Sequence, residues 1–251
     1  MMTAHRWIVA LAVGELFAIV TGTFQAGSRI ALNEAIAPVH VPVGIAVVTA
    51  GLMVCARVRG TPLWLAFAGL ALSGITGWMS SVTPARVVWH SLCSHTALAL
   101  VTAAAVLTSR AWSEPVKRVG AGSWSALRPV ALVTPPVVLL QIAMGALYRH
   151  QILGVLWHML GAMIVAILTL VLSVVLLQHF ADQPHLKSAA TWLISAVLAQ
   201  VCLGIATFLM ILLGAGDIPP FVWLATGHVT VGAATLAASV LASMRVRRCV
   251  E

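Results

Sequence analysis

The sequence predicts an all-α integral membrane protein with eight transmembrane helices, arranged as two pseudo-symmetric four-helix bundles. Three observations predict it. The chain of 251 residues is 61% hydrophobic and 8% charged, with a mean hydropathy of +1.04, more apolar surface than a soluble domain of this size hides. Eight apolar stretches are each long enough to cross a bilayer as helices. Histidines recur inside the second, fourth, sixth and eighth of them, at His40, His95, His158 and His228.

In chain order the predicted spans are Trp7–Ala26, Val39–Ala56, Leu63–Ser80, Val87–Thr108, Val130–Tyr148, Ile152–Leu177, Ala189–Leu213 and Phe221–Met244. The first stretch is longer than a signal-peptide core and lacks a small-residue cleavage site, so it reads as a span. Pro135 and Pro136 fall early in the fifth, where a kink is tolerated. Asp217 reads as a turn residue, and Pro219 and Pro220 start the eighth helix. The longest polar break, Ser109–Arg128, carries Arg110, Glu114, Lys117 and Arg118. It divides the chain into an N-terminal bundle (1–110), a linker (111–128) and a C-terminal bundle (129–251).

The net charge of +8 does not point to nucleic acid, because the basic residues lie in short loops and form no patch with interleaved aromatics. They act as topology signals. With the N-terminus inside, the cytoplasmic side holds Arg6, Arg57, Arg59, Arg110, Lys117, Arg118, Arg128, Lys187, Arg245, Arg247 and Arg248. The outer side holds Arg29, Arg86 and Arg149, which completes the 14 Lys and Arg residues. The expected location is a bacterial or archaeal cell membrane, with both termini cytoplasmic and the lipid bilayer as the surrounding partner.

An internal repeat lies in the odd spans, which read AIVTG at Gly22, LALSG at Gly74, QIAMG at Gly145 and QVCLG at Gly204. Each precedes a helix bearing a histidine, so the unit is a helix hairpin used four times. Glycine in such helices permits close packing.

His40 and His158 lie near the outer ends of their spans. His95 and His228 lie roughly 12 Å in, at 1.5 Å per residue. Each half therefore offers a shallow and a deeper imidazole, the pair needed to ligate a flat macrocycle from both sides. The residue four positions on, facing the same way, is small in every case: Gly44, Ala99, Ala162 and Gly232. Zinc fits less well, since neither HxxxH nor CxxC is present. Simple interhelical hydrogen bonding is the bland alternative. His90 rivals His95 from a different helix face; His95 matches the depth of His228. His5, His150, His179 and His185 read as tail or loop residues.

Glu15, an acid inside the first span, is either a proton-delivery group or a neutral carboxyl bonded between helices. Arg149, at the outer end of span five, suits a carboxylate-bearing ligand, or serves as an interfacial arginine. Trp78, Trp89, Trp157 and Trp223 mark an aromatic belt, with Trp157 beside His158 a candidate pocket wall.

LLQIAMGALYRH (Leu139–His150), LWHMLGA (Leu156–Ala162), AQVCLGIATFL (Ala199–Leu209) and ATGHVTVGAA (Ala225–Ala234) resemble the haem A synthase family of cytochrome oxidase assembly proteins. The second half carries most of the likeness; the first follows through helix pattern and histidine positions. The resemblance implies that His158 and His228 ligate a resident haem b through its iron. His40 and His95 would border the site where haem O is bound. The implied reaction oxidises a ring methyl of haem O to the formyl of haem A, with molecular oxygen and an electron donor. A haem O synthase and a terminal oxidase are the implied partners.

The chain departs from that family's pattern at two places. The second span reads APVHVPVG, without the family's Glu-x-x-His-Arg; Glu34, six residues before His40 and expected in the outer loop, is the nearest acid. The first outer loop lacks the cysteine pair of many bacterial members. Cys55, Cys93, Cys202 and Cys249 fall in helices or at the tail, away from any expected disulfide. A di-haem b-type electron-transfer or haem-handling assembly protein is the alternative on the same fold. A transporter is disfavoured, because no span is clearly broken at mid-membrane.

Overall fold

The computed structural model describes residues 3–27, 32–56, 58–78, 84–116, 118–122, 124–216 and 218–251; within them the side chains of 24–27, 32–38, 75–78 and 84 are not described. The described chain is helical: α1 (Ala4–Gly27), α2 (Leu32–Cys55), α3 (Thr61–Trp78), α4 (Pro84–Thr108), the short α5 (Arg110–Ser113), α6 (Leu127–Arg149), α7 (Val155–His179), α8 (Pro184–Leu212) and α9 (Pro219–Cys249). Six of them, α1, α4, α6, α7, α8 and α9, are long and apolar enough to cross a membrane. The protein is therefore an integral membrane protein by the length and composition of its helices. Shorter apolar stretches, Val39–Cys55 and Thr61–Gly74, lie within α2 and α3.

Several helices outrun the predicted spans at their ends. α9 opens on Pro219 and Pro220, with Ile218 as N-cap, since proline suits the first turn, where N–H groups have no partner. It then continues past Met244 through Arg247 and Arg248, cations placed favourably in a last turn. α2 begins before Pro38, so Glu34 sits in its first turns rather than in a loop, and Pro38 and Pro42 fall inside the helix. The side chain of Glu34, and Asp217, Arg29, Arg57 and Lys117 altogether, lie outside the described residues. His5 is a helical residue of α1 whose Nδ1 lies 3.3 Å from Thr108 Oγ1 at the end of α4.

Helices α1 to α4 contact one another in sequence and close through α1 and α4; α6 to α9 do the same through α6 and α9. The two groups meet where α9 touches α1 and α4, and α4 touches α6. Their apolar cores lie toward the linker end. One joins Ile8, Leu11, Val54, Ala66, Val101 and Ala104. The other joins Leu127, Leu172, Leu176, Leu186, Leu193 and Val246. The linker is docked rather than free. Val119 pairs with Val250, donating from its N–H to the Cys249 carbonyl at 2.9 Å and accepting from Glu251 N–H at 3.0 Å. The four cysteines are free thiols.

Candidate functional site: paired imidazoles on glycine notches

His40, His90, His158 and His228 sit toward the end of the helices opposite the linker, where the cores give way to polar contacts. Three of the four glycines ending the repeated segments face an imidazole edge-on. A Cβ built on Gly145 falls 2.9 Å from His158 Cε1 and 3.3 Å from its Nδ1; one on Gly204 falls 2.9 Å from His228 Cε1 and 3.3 Å from its Nδ1. On Gly22 the corresponding distance to His40 Cε1 is 2.9 Å. Hydrogen in place of a methyl is what lets each ring lie against the preceding helix. Gly74 breaks the pattern, with nothing among the described residues within 4 Å of its Cβ position.

In the C-terminal group the ring centroids of His158 and His228 are 6.3 Å apart with planes 84° from parallel. An imidazole nitrogen lies about 1.1 Å from its ring centre, so two rings opposed across one metal ion, through bonds of about 2.0–2.1 Å, have centres roughly 6.3 Å apart. The spacing thus suits a single shared ion. Tyr148, the sole tyrosine, stacks on His158 at 6.1 Å and 9°. His228 Nδ1 donates to the Gln200 carbonyl at 3.2 Å. This fixes the tautomer with a lone pair on Nε2, the form that binds metals. That Nε2 lies 3.3 Å from the Gln200 side-chain nitrogen. Gln141 Nε2 lies 2.9 Å from His158 Nδ1 and donates to its carbonyl at 2.8 Å. Both glutamines leave Oε1 buried without a partner.

Sequence reading had no role for Gln141 and Gln200, although each begins a repeated segment, QIAMG or QVCLG. Each stands four residues before its glycine and therefore on the same helix face. A buried amide at that offset was the available signal. Gln200 also takes the space expected to stay open beside Gly232, where a Cβ would meet its Nε2 at 3.2 Å. Gly44 has nothing among the described residues within 4 Å of its Cβ position.

In the N-terminal group the ring facing His40 is His90, with centroids 5.9 Å apart and planes at 69°. His40 Nδ1 lies 3.1 Å from Thr21 Oγ1. His95 points elsewhere. It is 2% exposed, its Nδ1 donates to the Ser91 carbonyl at 2.7 Å, and its Nε2 is buried without a partner. Five residues turn a helix by about 500°, or 140° net, so His90 and His95 cannot share a face.

Glu15 is 2% exposed. Ser73 Oγ lies 2.5 Å from its Oε1 and 3.1 Å from the Gly69 carbonyl. A hydroxyl carries one proton, so both contacts are hydrogen bonds when a neutral carboxyl donates to Oγ. Arg149 Nη2 donates to the Thr23 carbonyl at 3.0 Å, bridging α6 to the end of α1, where the helix dipole favours a cation. Trp89, Trp157 and Trp223 are well exposed, as an interfacial belt requires, so Trp157 faces outward rather than walling the site. Outside the membrane, burial and the neighbouring Arg149 hold the His150 imidazole below its ordinary value.

Among the described residues no cluster of three or more His, Cys, Asp or Glu side chains is placed to hold a metal ion. The donors are paired imidazoles, which suit a macrocycle that supplies the other ligands itself. No protein-family model matches this chain, and no curated protein matches it in sequence.

Proposed function

We propose that this protein is a haem-binding membrane oxidoreductase of the haem A synthase type, with eight transmembrane helices in two pseudo-symmetric four-helix bundles and both termini in the cytoplasm. The observation that carries the reading is the His158–His228 pair, with rings 6.3 Å apart, each seated on a glycine notch. The closed contact order of α1–α4 and of α6–α9 supports the two-bundle arrangement, and the excess of Lys and Arg at the linker end supports the orientation.

In this reading His158 and His228 hold the resident haem b through its iron. Gly145 and Gly204 admit their rings, and Gln141 and Gln200 orient them. His40 and His90 line the second pocket, where haem O enters as substrate. His95 is buried on another face of α4 and takes no part in that pocket, and Glu34 is the acid nearest to His40 in sequence. Bound haem supplies the one-electron and oxygen chemistry; the protein contributes ligation, orientation and exclusion of water. Arg149 serves as the counter-charge at the pocket rim.

A di-haem electron-transfer or haem-handling protein is the second reading, favoured by the stretch APVHVPVG, which places neither acid nor arginine beside His40. The test is to make the protein in cells that also make a haem O synthase, then separate the extracted pigments by chromatography and mass. Haem A that depends on the intact chain supports the synthase reading. Bound haem b without any formyl or hydroxylated haem moves the assignment to the second.

A further inference from the structure

Far from the histidines, at the linker end, a cleft of about 470 Å³ is lined by Leu107, Trp112, Arg118, Arg128, Met244, Arg247 and Arg248. Four guanidinium groups thus converge from the linker, the first turn of α6 and the last turn of α9. Among the described residues no acidic side chain lines the cleft, and the ion pair of Arg110 with Glu114 at 3.0 Å leaves all four out. Converging like charges are unfavourable unless an anion joins them.

Two further features have the same sign. The first turn of α6 contains no acidic residue, and its N-cap Ala126 offers no side-chain acceptor. The positive dipole end of the helix therefore adds to the arginines. Arg248 is held in place rather than mobile: its guanidinium carbon lies 4.6 Å from the Trp112 ring centre, and its Nη2 donates to the Glu114 carbonyl. Its Nη1 remains buried without a partner. A fixed guanidinium matches a phosphate oxygen.

We propose that this cleft is a phosphate-binding site, formed when the linker docks on α9. Leu107 and Met244 give it an apolar wall, as suits the headgroup of an anionic phospholipid held between helix ends; free phosphate shares the same chemistry. Binding there joins the linker to both helix groups, since Leu107 belongs to α4 and Arg128 to α6.

Native mass spectrometry of the purified full chain, with phosphatidylglycerol or phosphatidylcholine added, tests the proposal, with inorganic phosphate as the soluble arm. Arg128 and Arg247 are exposed, so R128Q/R247Q leaves packing intact; unchanged helicity and a monodisperse elution verify that. The expected result is preferential binding of phosphatidylglycerol, or of inorganic phosphate if the natural source is soluble. The double variant should weaken it by about fivefold for each arginine, with R6Q without effect. Equal retention of both lipids and no phosphate binding would overturn the proposal. So would affinity in the folded double variant equal to that of the unaltered chain.

Discussion

Adding one methyl group at Gly204 should dislodge His228, whereas the same change at Gly74 should not disturb any histidine. The Cβ of Ala at 204 falls 2.9 Å from His228 Cε1, and carbon atoms prefer about 3.5–4.0 Å. The ring must withdraw by roughly 0.6–1.1 Å. Its Nδ1 bond to the Gln200 carbonyl, 3.2 Å long, then stretches beyond hydrogen-bonding range. Overpacking costs about 1–3 kcal/mol and the lost bond about 1 kcal/mol, while replacing glycine in a helix returns at most about 1 kcal/mol. The net destabilisation is about 1–3 kcal/mol. Gly74→Ala meets no described atom within 4 Å and retains only the helix gain. Thermal unfolding of detergent-solubilised protein, with haem content measured on the same samples, separates the two. Equal shifts for both variants, or full haem retention and stability in Gly204→Ala, would refute the notch argument.

Gln141→Leu should lower affinity for haem about 10–100-fold without loss of helicity, read by haem titration; unchanged affinity would remove the orienting role. Glu15→Gln should be nearly silent, because the amide can still donate to Ser73, whereas Glu15→Ala should cost about 1–3 kcal/mol for the stranded polar groups, measured by unfolding in detergent. His150 titrates below its ordinary value of about 6.5 because of burial and Arg149. The unfolded chain therefore binds more protons, and stability should fall as pH drops from about 6.5 through the folded value. His150→Gln should flatten that part of the unfolding midpoint plotted against pH.

The helices were legible because apolar runs bounded by Arg, Pro and Gly leave few alternatives in a membrane, and α9 begins on Pro219 as its sequence says. Helix faces were harder. Depth counted along a helix recommended His95, but depth is blind to rotation, and packing of α4 against α1 and α3 turns His90 toward His40 instead. Gln141 and Gln200 were visible as repeated polar residues, yet their role depends on the ring that leans on the glycine one turn later. The arginines at the linker end were read for topology alone. Their convergence needs Arg248 to reach Glu114, residues 134 apart in sequence, and no local pattern encodes such a contact.

The absorption spectrum of the purified protein, compared with His158→Ala and His228→Ala, tests the central claim most directly. The account predicts a low-spin b-type haem spectrum in the unaltered chain, lost or converted to a weakly held high-spin form in each variant. Haem retained in full with an unchanged spectrum in both variants, or an unaltered chain that binds no haem when haem is abundant, would contradict it.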